Sequence, residues 1–308
     1  MIVIPPVTMT DAMLTSSTVA EPSSVVNTET TWTSGHTFTL GDYCIVVTAN
    51  SHLLYQSLQA SNTNNPPTTS PTYWLALGND NRWAMFSLTR NIKTYGASPM
   101  VVVITPGMRI DSMAVMAMVA DSVSCVVTSV AGGGTVYSST INLSTRNVYT
   151  WYDYFFQPFT TQQDYLFLNI PPYTDCIVTL TFTRSSGNVA CGACCFGSQQ
   201  YIGGAQVNAT SDVINFSTVT RDAFGNATMV PRRNIPTTNQ NLFTQGYRIP
   251  QLIALQSQLN AIPAVWSGLD DPTALYFEGL LILGFYRTFT ITFDQATVVT
   301  VNLVLEEV

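Results

Sequence analysis

Met100-Val101-Val102-Val103-Ile104, Ala114-Val115-Met116-Ala117-Met118-Val119 and Val123-Ser124-Cys125-Val126-Val127 are three apolar runs of strand length. Pro106-Gly107 and Asp121-Ser122 break them apart. Runs this short, rich in β-branched residues and bounded by turn formers, are buried strands. The pattern continues downstream. Gly132-Gly133-Gly134 makes a loose hairpin turn into Thr135-Val136-Tyr137. Tyr165-Leu166-Phe167-Leu168 leads to a turn at Pro171-Pro172, and Cys176 to Phe182 alternates as a half-buried strand. Between them Trp151 to Phe159 carries six aromatic rings. About eight strands at this spacing, with no helical stretch, predict a β-sandwich of jelly-roll type over residues 91–205.

Working outward, residues 206–308 read as a small α+β domain. Ser217 to Thr228 is a hairpin turning at Phe224-Gly225-Asn226. Leu252, Leu255, Leu259 and Ile262 recur at helical spacing between Pro250 and Pro263, which predicts a helix over Ile249–Ile262. Tyr276–Phe285, Phe289–Phe293 and Thr300–Leu305 follow as strands. At the other end, residues 1–30 are an apolar, Pro- and Thr-bearing arm without helical period, suited to packing on its own subunit or a neighbour. The whole chain is therefore expected to be mainly β.

Composition narrows the function. Of 308 residues only 9% are charged, and Lys93 is the one lysine among eleven Lys and Arg. Subunit contacts favour Arg and deplete Lys and Glu, so this composition predicts a subunit largely covered by partners, a homo-oligomer among them. The net charge of −7 argues against nucleic acid. No apolar run approaches the length that spans a membrane, and the opening Met1-Ile2-Val3-Ile4-Pro5-Pro6 has no basic start of a secretion signal. Cys191-Gly192-Ala193-Cys194-Cys195 is half of a zinc pattern without a second half, so buried free thiols are expected, with neither metal nor other cofactor.

Residues 31–90 form a separate β-unit: Trp32, then Gly41-Asp42-Tyr43, Ser51-His52 as a hairpin connection, Tyr55, the loop Asn64-Asn65-Pro66-Pro67, and Tyr73-Trp74. This pattern resembles the small chitin- and cellulose-binding modules of bacterial glycoside hydrolases. Trp32, Gly41, Asp42, Tyr55, Asn64, Pro66 and Trp74 stand at that family's framework positions. Where the family carries exposed tryptophans for stacking on sugars, this chain has Leu58-Gln59-Ala60. The resemblance thus implies an intact framework of Trp32, Asp42, Tyr55 and Trp74 with its usual platform missing. Trp83, in the polar setting Asn79-Asp80-Asn81-Arg82, is the ring expected to be exposed, and Trp83, Arg82 and Asn64 are the candidate glycan contacts.

Two further runs resemble a family of tailed-bacteriophage tail proteins. One is Arg221-Asp222 with Phe224-Gly225-Asn226, Arg232-Arg233, the Leu-rich helix, Pro263-Ala264-Val265-Trp266 and Gly284-Phe285-Tyr286. The other is Ile4-Pro5-Pro6 with Met9-Thr10-Asp11-Ala12, and Asn81-Arg82-Trp83-Ala84-Met85-Phe86. The resemblance implies a virion component of the tail tip, baseplate or fibre-attachment region, assembled in the host bacterial cytoplasm. Its partners would be other phage tail proteins and, through the module, a host-surface glycan. Arg221, Arg232, Arg233 and Arg248 are the candidate interface residues, and the 1–30 arm and the C-terminal domain the expected anchors. The competing reading is a free carbohydrate-binding protein or an accessory module of a polysaccharide-degrading system. An enzyme is not expected: nucleophile-elbow, zinc-protease and phosphate-loop motifs are all missing, and nothing brings Asp153, Asp164, Asp270 or Asp271 together as a carboxylate pair.

Overall fold

The structure, a computed structural model, describes residues 1–22, 29–145, 150–206, 208–272, 274, 276–293, 295 and 297–308. The protein is mainly β and divides into two compact units, one of Val7–Gly197 and one of Met1–Pro6 with Ser198–Val308. The expected 31–90 module and the sandwich from residue 91 to 197 therefore fall inside a single unit.

The first unit is built on eight strands: β1 (Leu14–Ser17), β2 (Met100–Ile104), β3 (Ser112–Met116), β4 (Ser122–Thr128), β5 (Thr135–Asn142), β6 (Tyr165–Phe167), β7 (Ile177–Thr183) and β8 (Ala193–Gly197). They form a five-stranded sheet in the order β5-β4-β7-β2-β1 and a three-stranded sheet in the order β6-β3-β8. The antiparallel partners β4–β5, β3–β6 and β2–β7 are those of one long hairpin rolled up on itself, which is jelly-roll topology. One departure stands out. β1 pairs with the edge of β2 instead of with β8, and the chain preceding it reaches β8 through the Val7 N–H, which donates to Phe196 O at 3.0 Å.

Alternation makes the core. β2, β4 and β7 bury every second residue, so Val102, Ile104, Val123, Cys125, Val127, Val178, Leu180 and Phe182 point one way. They meet Met113, Val115, Phe167, Cys194 and Phe196 from the smaller sheet in one apolar cluster. The apolar run 114–119 is not one strand: Ala117 takes φ 53°, and its N–H donates to Asp164 Oδ1 at 2.8 Å. Asp164 is fixed in turn by Arg90 Nη2 at 2.8 Å. Two insertions leave this frame, residues 18–99 between β1 and β2 and residues 143–164 between β5 and β6. The second contains a short helix, α1 (Trp151–Phe156), where no helix is expected. A capping box explains it: Asp153 N–H donates to Thr150 Oγ1 at 3.1 Å and Thr150 N–H to Asp153 Oδ2 at 2.8 Å.

The second unit is an antiparallel sheet against one helix. Ile2–Ile4 is an interior strand, paired to Gln200–Tyr201 on one side and Ala264–Ser267 on the other. The arm's first residues thus add a strand to their own chain and are not a free tether. The sheet continues through Leu281–Thr292, Val298–Glu307 and Asn234–Gln245. α2 (Ile249–Gln258) lays Leu252 and Leu255, with Leu259 just beyond, on Trp266, Ile282, Leu303 and Leu305. It ends before the predicted Ile262, because Ala261 adopts φ 58° and Pro263 follows. All six cysteines are buried free thiols.

Burial pushes the Cys44, Cys125 and Cys191 thiols up to about 12. Since alkylation requires the thiolate, iodoacetamide at about pH 8 should label none of these in the native protein and all six cysteines after unfolding in denaturant. Mass spectrometry showing rapid labelling of Cys125 or Cys191 in the folded state would contradict their placement.

Candidate functional site

The inserted module carries a sheet of Glu29–Thr31, Tyr43–Val47, His52–Ser57 and Trp74–Asn79. One face holds its own small core. Phe38, Cys44, Tyr55 and Trp74 are buried together, Trp32 packs half-buried against them, and the Phe38 and Trp74 rings meet edge-on at 4.9 Å. The framework positions are tied by hydrogen bonds. Trp74 Nε1 donates to Asn65 O at 2.9 Å, and Asp42 Oδ2 accepts from Thr39 N at 2.7 Å. Asn64 lies exposed in the same loop with φ 57°, so its backbone shapes the turn beneath Trp74.

Trp83 is a correction. It is 0% exposed, its ring lies tilted 4.7 Å from His52 and edge-on 5.8 Å from Phe86, and it offers no surface to a sugar. Its polar neighbours do not solvate an exposed loop; they turn inward. Arg82 N donates to Asp80 Oδ1 at 2.9 Å. Asn81 brackets the Tyr95 backbone, donating from Nδ2 at 2.9 Å and accepting at Oδ1 at 2.8 Å. Arg82 itself points at Glu21 Oε2, 3.4 Å away. The three candidate glycan contacts are not gathered into a platform.

The candidate interface arginines separate into two pairs. Arg233 bonds Glu307 Oε1 at 3.0 Å and Val308 O at 2.7 Å, and Arg248 lies over the rings of Tyr201 and Tyr247, so both hold their own unit together. Arg221 and Arg232 belong to an exposed hairpin, Thr218–Arg221 with Ala227–Val230. Among the described residues no third strand joins it. Its turn is well made. Asp222 Oδ1 accepts from Phe224 N at 2.9 Å and Asn226 N at 2.8 Å, while Gly225 takes the left-handed φ of 85°. Yet Phe216, Val219, Phe224, Met229 and Val230 are all exposed, Phe224 by 91%. A two-stranded ribbon with open edges and apolar side chains is marginal alone in water. α1 is a second such surface, with no buried residue and Trp151 81% exposed. Sequence reading located the hairpin and the six rings but not their exposure, since an aromatic run reads equally well as core.

Of the isolated carboxylates, Asp153 caps α1 and Asp164 holds the Arg90–Ala117 bend, so each has a structural partner. Among the described residues no helix is long and apolar enough to cross a membrane. No protein-family model matches this chain, and no curated protein does.

Trp74→Ala removes a buried indole and its bond to Asn65, and should cost about 3–5 kcal/mol in urea unfolding; a near-neutral result would contradict the module core. Donors from Asn226 hold the Asp222 carboxyl below its ordinary 3.8. A depressed folded-state value means the turn's stabilisation is complete above about pH 4 and is lost as pH falls through that lower value. The Phe224 and Asn226 amide resonances should therefore shift only in strong acid, and a midpoint at or above 3.8 would show an unformed turn.

Proposed function

We propose that the chain is a structural subunit of a tailed-phage virion, of the tail tip, baseplate or fibre-attachment region, docked to neighbouring tail proteins and copies of itself through the hairpin of residues 216–233. The observation that carries this reading is the hairpin: ordered at its turn, open at both edges, and apolar where it meets water. Adding such a ribbon to a partner's sheet edge satisfies its backbone and covers Val219, Phe224 and Met229 together. The charge-poor composition and the resemblance to tail proteins read from the sequence support the same reading. Catalysis has no part in the proposal.

The competing reading, a free carbohydrate-binding protein, depended on an exposed Trp83 and loses its platform with that ring buried. The exposed rings of α1 are what it retains.

Replacing residues 218–230 by a short Gly-Asn turn should leave the melting temperature and circular dichroism of the body unchanged and abolish entry into particles. The readout is a stoichiometric band in purified virions for the parent chain and none for the variant. Incorporation of the variant at the parental level would sink the docking role, and glycan-array binding by a protein absent from particles would favour the competitor.

A further inference from the structure

Beneath Trp83, three chain segments converge on one point. Glu21 comes from the stretch after β1, His52 opens the second strand of the module hairpin, and Asp80 follows the module's last strand, its N–H donating to His52 O at 2.9 Å. One donor atom from each of the three lies within 4.8 Å of the others. His52 is 6% exposed and Asp80 0%. His52 Nδ1 sits 2.5 Å from Glu21 Oε1. On the far side of the ring, His52 Nε2 is 3.2 Å from Asp11 Oδ1.

The protons do not balance comfortably. Asp80 Oδ2 is buried with no hydrogen-bond donor, although Asp80 is held at Oδ1 by the Arg82 backbone. His52 Nε2, while near Asp11, is not aligned for a hydrogen bond. The carboxylates of Asp80, buried, and Glu21, half-buried, lie beside His52, and the one guanidinium placed there, of Arg82, reaches Glu21 Oε2 at 3.4 Å. A buried excess of acceptors is costly unless a cation or a proton sits among them. The arrangement around His52 decides which cation suits it. A ligating imidazole commonly presents one nitrogen to the metal and turns the other toward a carboxylate that orients it. Nε2 lies toward Asp11, Nδ1 faces Glu21, and a carboxylate oxygen of Asp80 completes the group. One imidazole with two carboxylates is a donor set for a borderline ion such as Zn²⁺ or Mn²⁺, in contrast to the all-oxygen shells of Ca²⁺ and Mg²⁺.

We propose that Glu21, His52 and Asp80 bind a divalent transition-metal ion, Zn²⁺ or Mn²⁺. The ion pins the strand-rich module to the segment leaving β1, joining residues far apart in sequence. Its role is structural, and it is independent of the docking proposed for the hairpin.

The full-length chain, stripped of metal and titrated with ZnCl₂ and separately MnCl₂ by calorimetry, should bind one ion saturably, with a rise in melting temperature. Asp80→Asn keeps the shape of the side chain and mimics its protonated form; it should abolish this binding and leave the metal-free fold and melting temperature intact. Glu21→Gln is the second variant, with the same expectation, should Asp80→Asn fail to fold. No saturable binding by the parent chain would show that a proton alone occupies the cluster and would overturn the proposal. Undiminished binding by a folded Asp80→Asn or Glu21→Gln protein would overturn it as well, by placing the ion elsewhere.

Discussion

The first unit depends on one contact, the apolar seam between the five-stranded and three-stranded sheets. Val102, Val123, Cys125, Leu180 and Phe182 from one side and Met113, Val115, Phe167 and Phe196 from the other form a single cluster. Every strand of the rolled hairpin owes its register to that seam, because slipping by one residue would carry its inward side chains out to solvent. The loops carry no such obligation. The cost of lengthening a loop grows only logarithmically, so a module as large as residues 18–99 can be inserted between two strands without disturbing the seam. This difference explains how a regular eight-stranded frame and two very different insertions coexist in one unit.

Much of this was legible in the sequence. The alternation in Ser122–Thr128 and Ile177–Thr183, the hairpin at Phe224-Gly225-Asn226 and the Leu-rich helix each follow from local periodicity and turn chemistry. What escaped was non-local. Ile2–Ile4 reads as an arm because its partners, Gln200–Tyr201 and Ala264–Ser267, lie far along the chain. Trp83 reads as exposed because Asn and Asp ordinarily mark solvent, whereas here Asp80 and Asn81 satisfy backbone groups of Arg82 and Tyr95. α1 did leave a signal, Thr150 three residues before Asp153, outweighed by the strand propensity of the rings that follow.

The scarcity of charge takes on a meaning once the pairs are placed. Arg82 faces Glu21, Arg90 holds Asp164, Arg233 holds Glu307 and Arg287 meets Glu306. Several of the few charges are thus spent joining segments of the chain, and hydroxyls and amides are left to hydrate the surface. Around the hairpin and α1 even that layer thins, and large rings stand in water. Under the proposed docking, the exposed rings of the hairpin are the apolar surface left for a partner.

The interior position of Ile2–Ile4 also sets an order of events. These residues are made well before the strand Ala264–Ser267 that must flank them, with the whole of the first unit, Val7–Gly197, synthesised in between. Domains tend to fold as they emerge, and contacts distant in sequence form slowly. The seam between the two jelly-roll sheets can therefore set while the opening strand still waits, an apolar segment unpaired for most of synthesis. Completion of the second sheet becomes the late step, and the interval before it is when the chain is most open to strand exchange with another copy of itself.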